Sequence, residues 1–143
     1  MKKFRFRFEK ILAHRKYIEK QKQIDLAAAI DMEMKQRKKL QDIDSDRGFH
    51  QTAEKKFLTG KINPDKLKGF TRYYLLLKRM EMSGYEILGK LSREVENRRE
   101  ELVKASVQKK IYARLKERHK FRYDREVNLY LQKENDEIAS RRR

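Results

Sequence analysis

One proline in 143 residues sets the outline of what this chain can become. Pro64 lies in the run Thr59, Gly60, Lys61, Ile62, Asn63, Pro64, Asp65, where a glycine of the kind that caps a helix C-terminus precedes a residue that cannot continue one. Only five glycines accompany it, so few other turning points exist and the rest must run as long regular elements. Asn63 is placed to cap a second helix, with Pro64 at its first position and Asp65 in its first turn, where free amides and the positive end of the dipole favour an acid. So short a connection sets the two helices antiparallel.

Periodicity supplies the faces. From Leu67 a three-four step lands on Leu67, Phe70, Tyr74, Leu77, Glu81, Gly84, Leu88, Leu91, Val95, Arg98, Leu102, Ala105, Lys109 and Tyr112, and resumes at Tyr123 and Tyr130, the sustained seam of a coiled coil. The first arm is less regular: Phe8, Ile11, Leu12, Ile18, Leu26, Ile30, Met34, Leu40 and Ile43 recur at helical spacing, interrupted by Arg15, Gln23, Glu33 and Arg37. Residues 44–48 have low helix propensity and mark a place where that arm would kink or fray. The expectation is one all-α domain over 1–143, a long two-helix antiparallel coiled-coil hairpin with helix 1 at about 8–58, a turn at 59–65, helix 2 at about 66–138 and a short basic tail at 139–143. At 1.5 Å per residue the arms would be roughly 75 and roughly 110 Å long, so the second is longer and overhangs. The stripe between Phe121 and Leu131 would project without an intramolecular partner, and its burial elsewhere would be favourable.

Charged residues make up 43% of the chain and the net charge is +17, which raises nucleic acid as a partner. Residues 1–62 carry 17 basic and 9 acidic side chains and residues 63–143 carry 22 and 13, an even excess interleaved with acids that reads as a solvated coiled-coil surface. Without cysteine there are no disulfides and no thiolate metal sites. The basic start is not followed by the apolar core of a signal peptide, and no uncharged stretch is long enough to cross a bilayer, so a soluble protein without membrane insertion is expected.

Several near-motifs fail on chemistry. Gly84 to Leu91 has the glycines and lysine of a phosphate-binding loop, but Leu91 stands where a hydroxyl must meet magnesium, and no strand precedes it. Asp42, Asp44 and Asp46 alternate as in a calcium loop, but Gly48 and Glu54 each arrive one place late. His14, His50 and His119 lie far apart and read as surface residues. With no nucleophile arrangement and no enclosed pocket, neither a catalytic role nor a cofactor or metal is expected. The run Tyr73 to Met80 is apolar around more of the helix than a two-stranded seam can cover, so it either packs beside Phe57 and Leu58 or forms an exposed partner-binding patch.

Three stretches carry a family resemblance: Phe6, Arg7, Phe8 with Ile11, Leu12, Arg15 and Glu19; the turn Gly60 to Pro64 leading into Phe70, Tyr73 and Leu77; and the closing run from Lys116, Glu117 and Arg118 through Lys133 to Ala139. In order, spacing and length the chain resembles the FliJ family of flagellar type III export proteins, which are similar to the central γ stalk of rotary ATPases. Gly69 and Gly84 depart from the larger or more polar residues expected there. The resemblance implies a cytoplasmic protein, peripherally associated with the inner membrane at the flagellar base. Its implied partners are the hexameric export ATPase, whose assembly and activity it would promote, the cytoplasmic domain of the export-gate membrane protein, and export chaperones. It also implies gate contacts at Phe49, Tyr73, Leu77 and Met80, and ATPase contacts at Phe8, Leu12, Arg15, Arg118, Arg122, Tyr123 and Tyr130.

Rival readings are a nucleic-acid-binding hairpin, suggested by the charge and by Arg141 to Arg143, a membrane-surface segment at Met1 to Phe8, where basic and aromatic residues alternate, and a plain structural spacer. The stalk of a virulence secretion system would have the same shape.

Overall fold

A computed structural model describes residues 3–141. Helix α1 runs over Glu9–Phe57 and helix α2 over Pro64–Arg141, antiparallel, with α2 the longer. Met1, Lys2, Arg142 and Arg143, part of the segments offered for membrane and nucleic-acid binding, lie outside the described residues.

The turn forms largely as its residues dictate. Asp65 N–H donates to Asn63 Oδ1 at 3.0 Å and Leu67 N–H to the Asn63 carbonyl at 3.1 Å, so Asn63 caps α2 and Pro64 occupies the position where a missing N–H costs nothing. The end of α1 is closed by different means from those expected. No glycine has positive φ, so Gly60 is not a left-handed cap; instead Thr59 donates its hydroxyl to the Lys56 carbonyl at 2.6 Å and its N–H to the same oxygen at 3.4 Å. Two further boundaries differ. Residues 44–48 stay helical, with Arg47 paired to Glu81 and Thr52 Oγ1 donating to the Gly48 carbonyl at 3.0 Å. The expected basic tail from 139 is helical as far as Arg141.

The chain divides into two compact units, one of residues 24–100 and one of residues 1–23 with 101–143. In the 24–100 unit the seam is small and partly polar. Leu77 is 2% exposed, Ala29, Leu40 and Val95 are buried with it, and Gln36 is buried among them. Leu40 lies over Gly84 so closely that a Cβ there would come within 2.6 Å of Leu40 Cδ2, while Gln36 Nε2 donates to the Gly84 carbonyl at 3.1 Å. Glycine lets Leu40 settle over this crossing, and any larger residue at 84 would have to displace the Leu40 methyl. The buried amide is tolerated because it finds a carbonyl, without which its burial would cost about 1–3 kcal/mol.

In the unit formed by the two terminal segments, Leu12, also 2% exposed, and Ala105 lie on the seam. Three ion pairs fix the register: Lys22 to Glu101 at 2.8 Å, Lys109 to Glu19 at 2.7 Å and Lys116 to Glu9 at 2.7 Å. Before α1 begins, the chain from Lys3 to Phe6 is not helical. It lies along α2, with Phe4 against Tyr123 at 5.6 Å between ring centroids, Phe6 against His119 at 5.7 Å and Phe8 against Tyr112 at 6.3 Å.

The seam of α2 keeps the predicted step through Tyr112 except at Tyr74, which is exposed, and continues on half-buried Lys116, His119, Tyr123 and Val127; Tyr130 falls on the exposed side. On α1 the predicted stripe fails at Ile11, which is exposed, and misplaces the turn around Met34. Met34 is 63% exposed, and its neighbours Glu33 and Gln36 face α2 instead.

Candidate partner-binding surfaces

No expected near-motif forms a loop that could serve a ligand. Gly84 to Leu91 lies inside α2, and Asp42, Asp44 and Asp46 lie inside α1, where a helical backbone cannot wrap a cation. Among the described residues no group of three or more acidic, histidine or cysteine side chains is placed to hold a metal ion. What the molecule offers is surface.

Within the 24–100 unit, Phe49 is 83% exposed on α1, and Tyr73, Tyr74, Leu75, Leu76 and Met80 are exposed on α2. Part of Tyr73 is held locally: its ring meets His50 at 4.7 Å, and His50 in turn meets Phe70 at 5.0 Å. His50 Nε2 lies 2.8 Å from the Phe70 carbonyl, and since a carbonyl only accepts, that nitrogen carries the proton. His50 is therefore part of the aromatic packing and not the free surface residue expected from sequence; Phe57 joins it through Phe70 at 5.4 Å. A shallow hollow of about 430 Å³ opens beside these rings, bordered by Lys66 and Gly69. Leu77 lies beneath, in the seam, so of the four residues assigned to gate contact three reach solvent and one supports them.

Acidic side chains in this unit are held by specific donors. Ser92 Oγ donates to Glu33 at 2.7 Å and Arg37 at 2.9 Å, and these hydrogen bonds, Ser92 first, lower the Glu33 carboxyl below its ordinary pKa. Arg47 does the same for Glu81. In the other unit Glu19 is lowered chiefly by the hydrogen bond from Lys109 and further by one from Ser106, against the opposing effect of burial.

The terminal unit brings Phe8, Leu12 and Arg15 from α1 and its lead-in to the same region as Tyr112, Arg118, Arg122 and Tyr123 of α2. Leu12 is buried, Phe8, Arg15 and Tyr123 are half-buried, and Arg118 and Arg122 are exposed. Arg15 Nε is buried without a hydrogen-bond partner among the described residues. Tyr130 stands apart, beyond the paired stretch; its hydroxyl bonds to Glu134, which raises its pKa. His119, half-buried against Phe6, is a further departure from the surface reading.

Pairing the termini also concentrates charge that is evenly spread along the sequence. Residues 1–23 and 101–143 hold 22 basic and 9 acidic side chains, against 17 and 13 in residues 24–100. Within residues 3–23 and 101–123 the count is 16 basic to 4 acidic; within 124–137 it reverses to 2 and 5, ahead of the three arginines at 141–143.

Sequence reasoning missed Phe4, His50 and His119 as packing residues. Only the first left a signal, the alternation of aromatic with basic residues from Lys3 to Phe8. No helix is long and apolar enough to cross a membrane among the described residues. Residues 4–143 match the family model described as the flagellar FliJ protein. No curated protein and no solved structure matches the chain.

Proposed function

The chain belongs to the flagellar FliJ protein family, a component of flagellar export, and on that footing we propose that it is a binding protein that acts as a central stalk. The terminal unit is the end that enters the hexameric export ATPase and promotes ring assembly and hydrolysis; the 24–100 unit engages the cytoplasmic domain of the export-gate membrane protein and receives export chaperones. On this reading the protein is cytoplasmic, works peripherally at the inner membrane beneath the flagellum, and carries out no reaction of its own.

The observation that carries the reading is the contrast in charge and in exposed side chains between the two surfaces. One is densely basic and aromatic, suited to being steered into a ring lined with carboxylates and held there by short-range contacts. The other is nearly balanced in charge and presents Phe49, Tyr73 and Met80 to solvent, suited to an apolar partner face. Leu77 belongs to that face as its support, and Tyr130 extends the ATPase end along the unpaired part of α2.

The test is ATP hydrolysis by the purified export ATPase, alone, with the full chain, and with a chain ending at Glu126, which keeps the aromatic pairing and removes the rest of α2. Stimulation is expected from the full chain and, more weakly, from the shortened one; no stimulation by either would overturn the stalk. For the second surface, Phe49→Ala with Met80→Ala should weaken capture of the gate's cytoplasmic domain by about tenfold or more while leaving ATPase stimulation intact.

A further inference from the structure

The lead-in to α1 is built as a strap. Burial alternates along it: Lys3, Arg5 and Arg7 are exposed, Phe4 and Phe8 half-buried and Phe6 only 8% exposed. A period of two belongs to extended chain, so the aromatic rings share one side and the cations the other. The extended part covers Lys3 to Phe6, a turn at residues 7 and 8 closed by the Glu9 N–H on the Phe6 carbonyl at 3.2 Å leads into α1, and the α2 residues that the three rings meet, Tyr123 back to Tyr112, cover about 16 Å of helix. Six residues thereby cover three turns of α2 and lay a row of cations along it.

Where the strap passes Tyr123, Lys3 and Arg5 line, with Arg122, a shallow hollow of about 530 Å³ beside the Phe4 and Tyr123 rings. Glu126 is the one carboxylate on its rim, and His119 also borders it. None of Lys3, Arg5 and Arg122 takes part in an ion pair among the described residues, and the nearest acid on α1, Glu9, is occupied by Lys116. The hollow therefore gathers three cations against one anion, over an aromatic surface that lowers the local dielectric and strengthens their pull.

We propose that this hollow docks an acidic segment of a partner protein, its carboxylates on Arg5 and Arg122, with Phe6 as the anchor that positions the strap's cations. The identity of that partner as the ring ATPase rests on the stalk reading. A protein fits better than a nucleic acid because the sign of α2 changes just past the site. From Asp124 to Glu137, ahead of the terminal arginines, acids outnumber bases five to two, and a phosphate backbone leaving the hollow along the helix would meet like charge there. A polypeptide can change sign with it.

The experiment titrates the full chain with poly-L-glutamate of about 15 residues and, separately, with duplex DNA of matched charge, near physiological salt. Arg5→Glu with Arg122→Glu should weaken poly-glutamate binding about tenfold or more; Lys38→Glu with Lys39→Glu, an equal charge change in the other unit, should alter it less than about twofold. Phe6→Ala keeps every charge and should still weaken binding about threefold, with unchanged helical circular dichroism and faster hydrogen exchange at residues 4–8. Equal effects from the two charge reversals, an inert Phe6→Ala, or tighter binding to DNA than to poly-glutamate would each overturn the site. ATPase stimulation measured on the same variants separates the two ideas. Poly-glutamate binding without stimulation by the wild-type chain keeps the site and removes the stalk, whereas stimulation indifferent to Arg5→Glu with Arg122→Glu removes the site and keeps the stalk.

Discussion

The two units are built from the same pair of helices yet are held by different means. In residues 24–100 the seam is narrow, with a glycine, a buried alanine and a buried amide, and its acids are matched to particular donors. In the terminal unit aromatic rings do much of the packing and cations outnumber acids by more than two to one. The first arrangement specifies a register; the second tolerates like-charge repulsion in exchange for a surface that attracts acids at a distance. Two stretches of one coiled coil can thus be tuned separately, one for fit and one for field.

The largest effects should come from the two most buried leucines. Leu77→Ala and Leu12→Ala should each cost about 3 kcal/mol in urea unfolding, and hydrogen exchange should place the loosening in the unit that holds the substitution. A loosening spread evenly over both units would break the distinction between them. Gly84→Val should cost about 2 kcal/mol because its side chain must displace Leu40, and a Leu40→Ala background should recover part of that loss, a coupling that a double-mutant cycle reads directly.

Salt should act on the units unequally. Raising it from about 0.02 M to about 0.5 M screens repulsion in the terminal unit, so exchange protection should rise there and change little, or fall, in residues 24–100. Acid should act in the opposite sense. Glu33, Glu81 and Glu19 have folded pKa values below their unfolded ones, so their contribution is complete above the ordinary carboxylate range and is lost as pH falls through the lowered values. The urea midpoint should therefore drop on acidification, and Glu33→Gln should make the drop shallower, a small effect measured by repeating the unfolding at several pH values.

How much of this could be read in advance depends on where the deciding information lies. The α2 seam was legible because its spacing and its hydrophobicity agree. On α1 they conflict: apolar character favours Met34, whereas the residues that face α2 are Glu33 and Gln36. They do so because α2 offers Ser92 and the bare Gly84 carbonyl opposite them, and nothing local to residue 34 records that. The turn was legible in its cap and not in its glycine, since the Thr59 hydroxyl ends α1 without a left-handed residue. The patches on α2 near Tyr73 could be found from sequence, but not which of their residues would be inside; Leu77 differs from Leu75 and Leu76 only in its place on the wheel. The strap was visible as an alternation whose partner lay more than a hundred residues away.

That separation orders events in time. His50 and Phe70 are 20 residues apart and can meet soon after the turn is made, whereas Phe4 and Tyr123 must close a loop of 119 residues. On a growing chain Phe4 leaves the ribosome long before its partner, and it stays unpaired until Tyr123 has emerged as well. Until then the alternating aromatic and basic residues travel uncovered. Pulse-labelled hydrogen exchange during refolding should find the amides of residues 4–8 protected last, and a nascent chain halted before Tyr123 emerges should leave them open to protease.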